Sequence, residues 1–154
     1  MARSRLDDVD HTILTAIQED ARHNTNAAIS DRLDVAASTV SKRITRLESD
    51  GIITGYHAAV DYEQAGFPLD VLFLCTAPIA DRDAYIERTL DIDGVVNVRE
   101  LMTGSENVHI RVVGASKSDI TRTAQALDDI GYTVADEILV RTEYDRPSVR
   151  FSSE

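Results

Sequence analysis

Between Ser38 and Leu47 the chain carries three bases, Lys42, Arg43 and Arg46, and no acid, although 27 Asp and Glu outnumber 16 Lys and Arg over the whole 154 residues. Hydroxyls at Ser38, Thr39, Ser41 and Thr45 are interleaved with them. Ammonium and guanidinium groups neutralise phosphate, and short hydroxyl side chains bond to phosphate oxygens or to base edges. A solvated face is the usual fate of such a surface on an isolated helix. An acidic chain keeps its solvated faces acidic, as the stretch Asp81 to Asp93 does, so this local reversal of sign points to phosphate.

Positioning that set requires a helix. Val40, Ile44 and Leu47 recur at i, i+4 and i+7, and Ser49-Asp50-Gly51 closes the pattern. At about 100° per residue the opposite face carries Ser38, Lys42 and Thr45, flanked by Thr39, Ser41 and Arg46. Arg43 turns partly toward the apolar stripe, to pair with Glu48 or to touch phosphate from the side, and is not a base reader. Upstream, Val9, Ile13, Leu14 and Ile17 predict a helix over roughly 8–20 behind Asp7 or Asp8. Thr25 or Asn26 caps a second helix with Ile29 and Leu33 on one face, ending near Asp34. Two short helices joined by a tight turn and packed on a first form a helix-turn-helix. After Gly51, Ile52-Ile53, a Thr54-Gly55 turn and Tyr56 to Val60 predict two short strands, the wing of a winged helix-turn-helix. His57 beside it is a surface or structural histidine before it is a phosphate contact.

Residues 61–68, with Gly66 and Pro68, are a connector between a domain over 1–60 and a second over 69–154. Leu69, Val71, Phe73, Cys75 and Ala77 alternate as a strand. Asp81 caps a helix bearing Tyr85, Ile86, Thr89 and Leu90, stopped at Asp93-Gly94. Val96, Val98 and Met102 form a second strand, and after the turn Thr103 to Asn107 the residues Val108, Ile110 and Val112 form a third. Ser116 or Ser118 starts a helix with Ile120, Ala124 and Leu127 that stops at Gly131, and a last strand covers about Thr133 to Thr142. The order βαββαβ predicts a ferredoxin-like α+β domain with both helices on one face of an antiparallel sheet. The open face, with His109 and Arg111, predicts self-association, and a symmetric dimer also suits paired DNA half-sites.

Composition bounds the rest. The formal net charge is −11, of which residues 1–60 hold seven Lys and Arg against nine Asp and Glu, while 61–154 hold nine against eighteen. Aspartate supplies 18 of the 27 acids and lysine two of the 16 bases, a bias that resembles proteins of salt-adapted organisms. The longest uncharged apolar run, Val71 to Ala80, is half of the roughly 20 residues a membrane span needs. The start has Arg3 and Arg5 but then Asp7, Asp8 and Asp10 where a secretory signal is apolar, so the expected location is the cytoplasm. Cys75, the single cysteine, reads as a buried small hydrophobe, and no cofactor or metal is called for.

Taken together the pieces are similar to one family. Leu6-Asp7-Asp8-Val9-Asp10 with Ile13-Leu14, Thr39-Val40-Ser41-Lys42-Arg43-Ile44 with Arg46-Leu47-Glu48, Gly51-Ile52-Ile53-Thr54-Gly55-Tyr56, and Val95 to Asn107 resemble the Lrp/AsnC family of leucine-responsive, or feast/famine, transcription regulators. The resemblance implies sequence-specific binding of double-stranded DNA by a homodimer formed through the C-terminal sheets, assembled into an octamer or another ring. It also implies a small effector, typically an amino acid, held between subunits by Thr103, Gly104, Ser105, Glu106 and Asn107, whose binding shifts the assembly.

Three positions depart from the family pattern. Asp34 stands where the turn usually has glycine, and Ala36 where serine customarily caps the reading helix. Asn107 stands where the family often has aspartate, and a neutral amide grips an ammonium less strongly than a carboxylate, with Glu106 next door able to supply the charge. Read without the family, the same loop is a hairpin turn with Gly104 present for backbone freedom. Two other classes share the architecture: an enzyme similar to sirohaem decarboxylases, with His109 as its only C-terminal histidine and no evident acid–base pair, and a sensor or assembly protein with a vestigial helix-turn-helix.

Overall fold

The computed structural model describes residues 6–146; Arg3, Arg5 and residues 147–154 lie outside them. The described residues of the chain divide into two compact units, one running to Ala58 and taking in residues 144–146, the other Ala59–Glu143. None of its helices is long and apolar enough to cross a membrane among the described residues.

The first unit is built from α1 (Asp8–Glu19), α2 (Asn26–Leu33) and α3 (Ala37–Ser49). Asp7 caps α1 through a reciprocal pair: it accepts from the Asp10 amide at 2.9 Å, and Asp10 accepts from the Asp7 amide at 3.1 Å. Thr25 caps α2 by accepting from the Ala28 amide at 3.2 Å. Ile13, Leu14, Ala16, Ile29, Val40 and Leu47 close a small aliphatic core between the three helices. The two strands expected after Gly51 do not form a ladder. The Ile52 and Ile53 amides both donate to the Leu47 carbonyl, at 2.9 and 3.1 Å, and Tyr56 Oη donates to Glu48 Oε1 at 2.8 Å. This segment is therefore moored to the end of α3, because an isolated two-stranded ribbon of so few residues gains too little to assemble on its own.

The second unit contains β1 (Leu69–Thr76), α4 (Arg82–Leu90) behind a short 3-10 turn at Ile79–Asp81, β2 (Val95–Glu100), β3 (Val108–Gly114), α5 (Lys117–Ile130) and β4 (Thr133–Leu139). The antiparallel sheet has the order β2-β3-β1-β4, the ferredoxin-like arrangement. Val71, Phe73, Cys75, Val108, Ile110 and Val112 point at the helices and pack with Ile120, Leu127 and Ile130 of α5. On the other face, the register aligns Asn97, Arg111, Leu72 and Ile138 in one row and Arg99, His109, Leu74 and Asp136 in the next. Arg111 bonds Asp70 through Nε and Nη2 and also reaches Glu143. Every residue of β4 is exposed within the single chain, Leu139 at 65%.

Several details differ from the sequence reading: Asp81 precedes α4 without a side-chain capping bond, and β4 ends at Leu139 and not at Thr142. Met102 is not an inward strand residue but fully exposed, since β2 ends at Glu100, whose partner Val108 is the last in the ladder. Leu90 of α4 faces out, while Arg82 takes a buried position and donates to Glu100 at 2.7 Å. Cys75 is completely enclosed, and burial pushes its thiol up to about 12. The native chain is accordingly expected to resist a thiol reagent at about pH 8 and to react once unfolded, which the released chromophore reads directly.

Candidate nucleic-acid interface

Six residues form the expected reading set, and α3 presents five of them together. Ser38, Thr39, Ser41, Lys42 and Thr45 are exposed in the chain, while Val40 and Leu47 at 0% exposure anchor the opposite side of the helix. Thr45 Oγ1 donates back to the Ser41 carbonyl at 3.1 Å, so in this rotamer its hydroxyl is left as an acceptor only. The sixth, Arg46, is placed differently. Its Nη2 donates to Asp10 Oδ2 at 2.6 Å, and its Nε is buried with no hydrogen-bond partner.

Arg43 also turns to α1, donating to Asp7 Oδ2 at 2.6 Å and to Asp10 Oδ1 at 3.1 Å. The pairing with Glu48 expected as one alternative does not occur, because Glu48 is engaged by Tyr56. The Asp10 amide first, and the Arg43 guanidinium next, hold the Asp7 carboxyl below its usual range; Asp7 in turn raises Arg43. The cluster of three bases is thus met by two acids, Asp7 at the cap of α1 and Asp10 within it, and the polar face of α3 is less positive than its sequence suggests.

Asp10 is the residue that inspection of α3 alone overlooks. It is 0% exposed. A signal for it exists in the sequence: Asp10, Ile13, Leu14 and Ile17 share one helical face, which puts a carboxylate in an apolar stripe, where only paired charges persist.

The two departures in the turn have structural answers. Asp34 adopts φ 52°, the left-handed conformation that aspartate tolerates and that the turn needs. Ala36 occupies the cap position of α3 in extended conformation and supplies no side-chain bond. Ala36→Ser should therefore stabilise the first unit by about 1 kcal/mol. Its urea midpoint would rise; an unchanged midpoint would mean that water already caps this helix end fully.

The loop Thr103-Gly104-Ser105-Glu106-Asn107 joins β2 to β3, and four of its residues are exposed. Thr103 Oγ1 donates to the Ser105 carbonyl at 2.9 Å, and the Glu106 amide to Thr76 Oγ1 at 2.8 Å. Asn107 is different: 1% exposed, it accepts from the Ala77 amide at 2.9 Å and donates to the Ala77 carbonyl at 3.0 Å. Both polar ends of its side chain are used by the backbone. Asparagine at this position therefore moors the loop to the end of β1, and an aspartate could make only the first of the two bonds. Gly104 is not the conformationally demanding residue of the loop, as the hairpin reading had it; Glu106 is, at φ 49°. Among the described residues no three His, Cys, Asp or Glu side chains are grouped to hold a metal ion.

Three helices in a helix-turn-helix arrangement with an exposed polar face on α3, followed by a ferredoxin-like sheet, are the layout of a DNA-binding regulator, and residues 6–54 match the family model described as winged helix-turn-helix DNA-binding. The chain is 34% identical over 128 residues to the HTH-type transcriptional regulator LrpA1 of Halobacterium salinarum, covering 82% of this chain and 81% of that one. Its fold is similar to that of the Mycobacterium tuberculosis leucine response regulatory protein LrpA (TM-score 0.80, 23% identity, 94% of this chain and 98% of that one). It is also similar to that of Escherichia coli AsnC (TM-score 0.76, 18% identity, 96% and 99%). The chain belongs to the Lrp/AsnC family of DNA-binding transcription regulators.

Proposed function

We propose that this regulator reads its DNA sites chiefly through short polar contacts from α3, with Ser38, Thr39, Ser41 and Thr45 reaching base edges or nearby phosphates and Lys42 contributing a phosphate ion pair. The observation that carries this reading is the exposed, acid-free face between Ser38 and Thr45, set in a chain of net charge −11. Strong reliance on phosphate charge fails at high salt, since each neutralised phosphate steepens the fall of affinity with salt. Hydroxyl contacts carry no such penalty. A homodimer joined through the open sheet face and the exposed β4 supplies two reading helices for paired half-sites.

Control passes through the loop 103–107, where an amino acid or a similar small effector sits between subunits with Glu106 facing its ammonium. Asn107 supports that loop from behind. The protein works in the cytoplasm as a binding protein without catalytic chemistry. Selection of bound sites from random duplexes, repeated for Ser38→Ala and Lys42→Ala, tests the division of labour. Ser38→Ala should change which sequences are enriched, and Lys42→Ala should weaken binding to all of them. If Ser38→Ala enriches the parent motif unchanged, α3 hydroxyls do not set specificity. Glu106→Gln should weaken any amino-acid effect on DNA binding without altering the motif.

A further inference from the structure

We infer that Asp10 is a positioning residue for DNA recognition, which holds Arg46 and Arg43 against α1 and so keeps both guanidinium groups off phosphate. The inference rests on the reading above that α3 faces the duplex. Asp10 stands at the third position of α1, its side chain 1% exposed, with its orientation set by the Asp7 amide. Its two oxygens receive Arg46 at 2.6 Å and Arg43 at 3.1 Å, and Asp7 receives Arg43 again at 2.6 Å. The spacing matches on both helices: Asp7 and Asp10, Arg43 and Arg46, each three residues apart on facing sides of α1 and α3.

Moving Arg46 to a phosphate would leave a fully enclosed carboxylate short of a charged partner, a cost that a solvated phosphate contact does not repay. Lys42 is then the only base of α3 without an ion-pair partner among the described residues. A regulator built this way keeps its reading helix basic enough to tolerate DNA yet spends few counterions on binding it. Its affinity resists salt, in keeping with the composition of the chain.

The test is the dependence of affinity on KCl for a fixed random-sequence duplex, measured by fluorescence anisotropy on the full chain. Asp10→Asn keeps the side-chain shape and the capping acceptor but frees Arg46, while Arg43 stays on Asp7. The logarithmic slope should steepen by about one, so that a roughly fourfold change in salt alters affinity about three- to fourfold more than in the parent. Asp8→Asn removes the same charge from the same turn without releasing an arginine and should leave the slope near the parent's. Should Asp10→Asn not fold, Arg46→Gln decides: the slope stays as in the parent if Arg46 is held off phosphate.

An unchanged slope in folded Asp10→Asn, equal steepening in Asp8→Asn and Asp10→Asn, or a slope shallower by about one in Arg46→Gln would each overturn the inference. A purely structural Asp10 would lower affinity without steepening the slope. Failure of the parent chain to bind any duplex would instead defeat the reading of α3 itself, so the two failures are separable.

Discussion

Asn107→Ala should destabilise the second unit by about 2–4 kcal/mol, read as a lower urea midpoint with little change in the m value. The asparagine amide is the partner of both the amide and the carbonyl of Ala77, and both residues are essentially without solvent contact. Truncation leaves two buried backbone groups unsatisfied and a small void beside them, and each such group costs about 1–3 kcal/mol. A loss below about 1 kcal/mol would show that water enters and bonds Ala77 in place of the side chain. Asn107→Asp keeps the first of the two bonds and removes the second. A carboxylate can accept from the Ala77 amide but meets the Ala77 carbonyl with a second lone pair, so the folded state favours the protonated acid and raises its pKa above the unfolded value near 3.9. The penalty is then present at neutral pH and shrinks as pH falls toward the unfolded pKa, where a protonated carboxyl can donate to the carbonyl. A cost independent of pH would mean that the loop moves away and the site is rebuilt.

Gly94→Ala should cost about 3 kcal/mol, more than the neighbouring change Gly114→Ala. Gly94 has φ +89°, and a Cβ there would lie 2.7 Å from the Val113 carbonyl oxygen. The same glycine accepts from the Val113 amide at 2.8 Å, so relief of the clash by backbone movement breaks a bond that starts the β2–β3 pairing. At Gly114 the nearest atom to a new Cβ is the Cδ1 of Ile120, at 2.9 Å, the tip of a side chain that can rotate. About 1 kcal/mol is expected there. Equal costs for the two substitutions, measured by the same unfolding experiment, would show that the β2–β3 junction yields as readily as a side chain.

The first of these effects lies in a place that the sequence alone judged differently. The loop was legible as a turn, and its glycine drew the attention because glycine is the residue that permits unusual backbone; the strained position is Glu106 and the anchoring one Asn107. Nothing local marks Asn107 as buried, since its partner Ala77 is thirty residues away. The wing was legible as Ile52-Ile53 and Tyr56 to Val60 around a Thr54-Gly55 turn, yet strand formation needs a partner ladder, and hydrogen bonds to Leu47 took precedence.

What the residues determined by themselves is periodic: five helices and four strands within about three residues of their observed ends, the inward and outward faces of α3, and the order that makes a ferredoxin-like sheet. Helical and strand repeats are set by backbone geometry and by which side chains avoid water, so they can be read along the chain. Whether a base is available to DNA is a different kind of fact. Lys42, Arg43 and Arg46 are alike as letters, and only the packing of α1 against α3, which sets Asp7 and Asp10 opposite two of them, decides that one faces solvent while the others are already paired. Charge pairing acts over a few ångströms between elements distant in sequence, and tertiary structure alone supplies that distance.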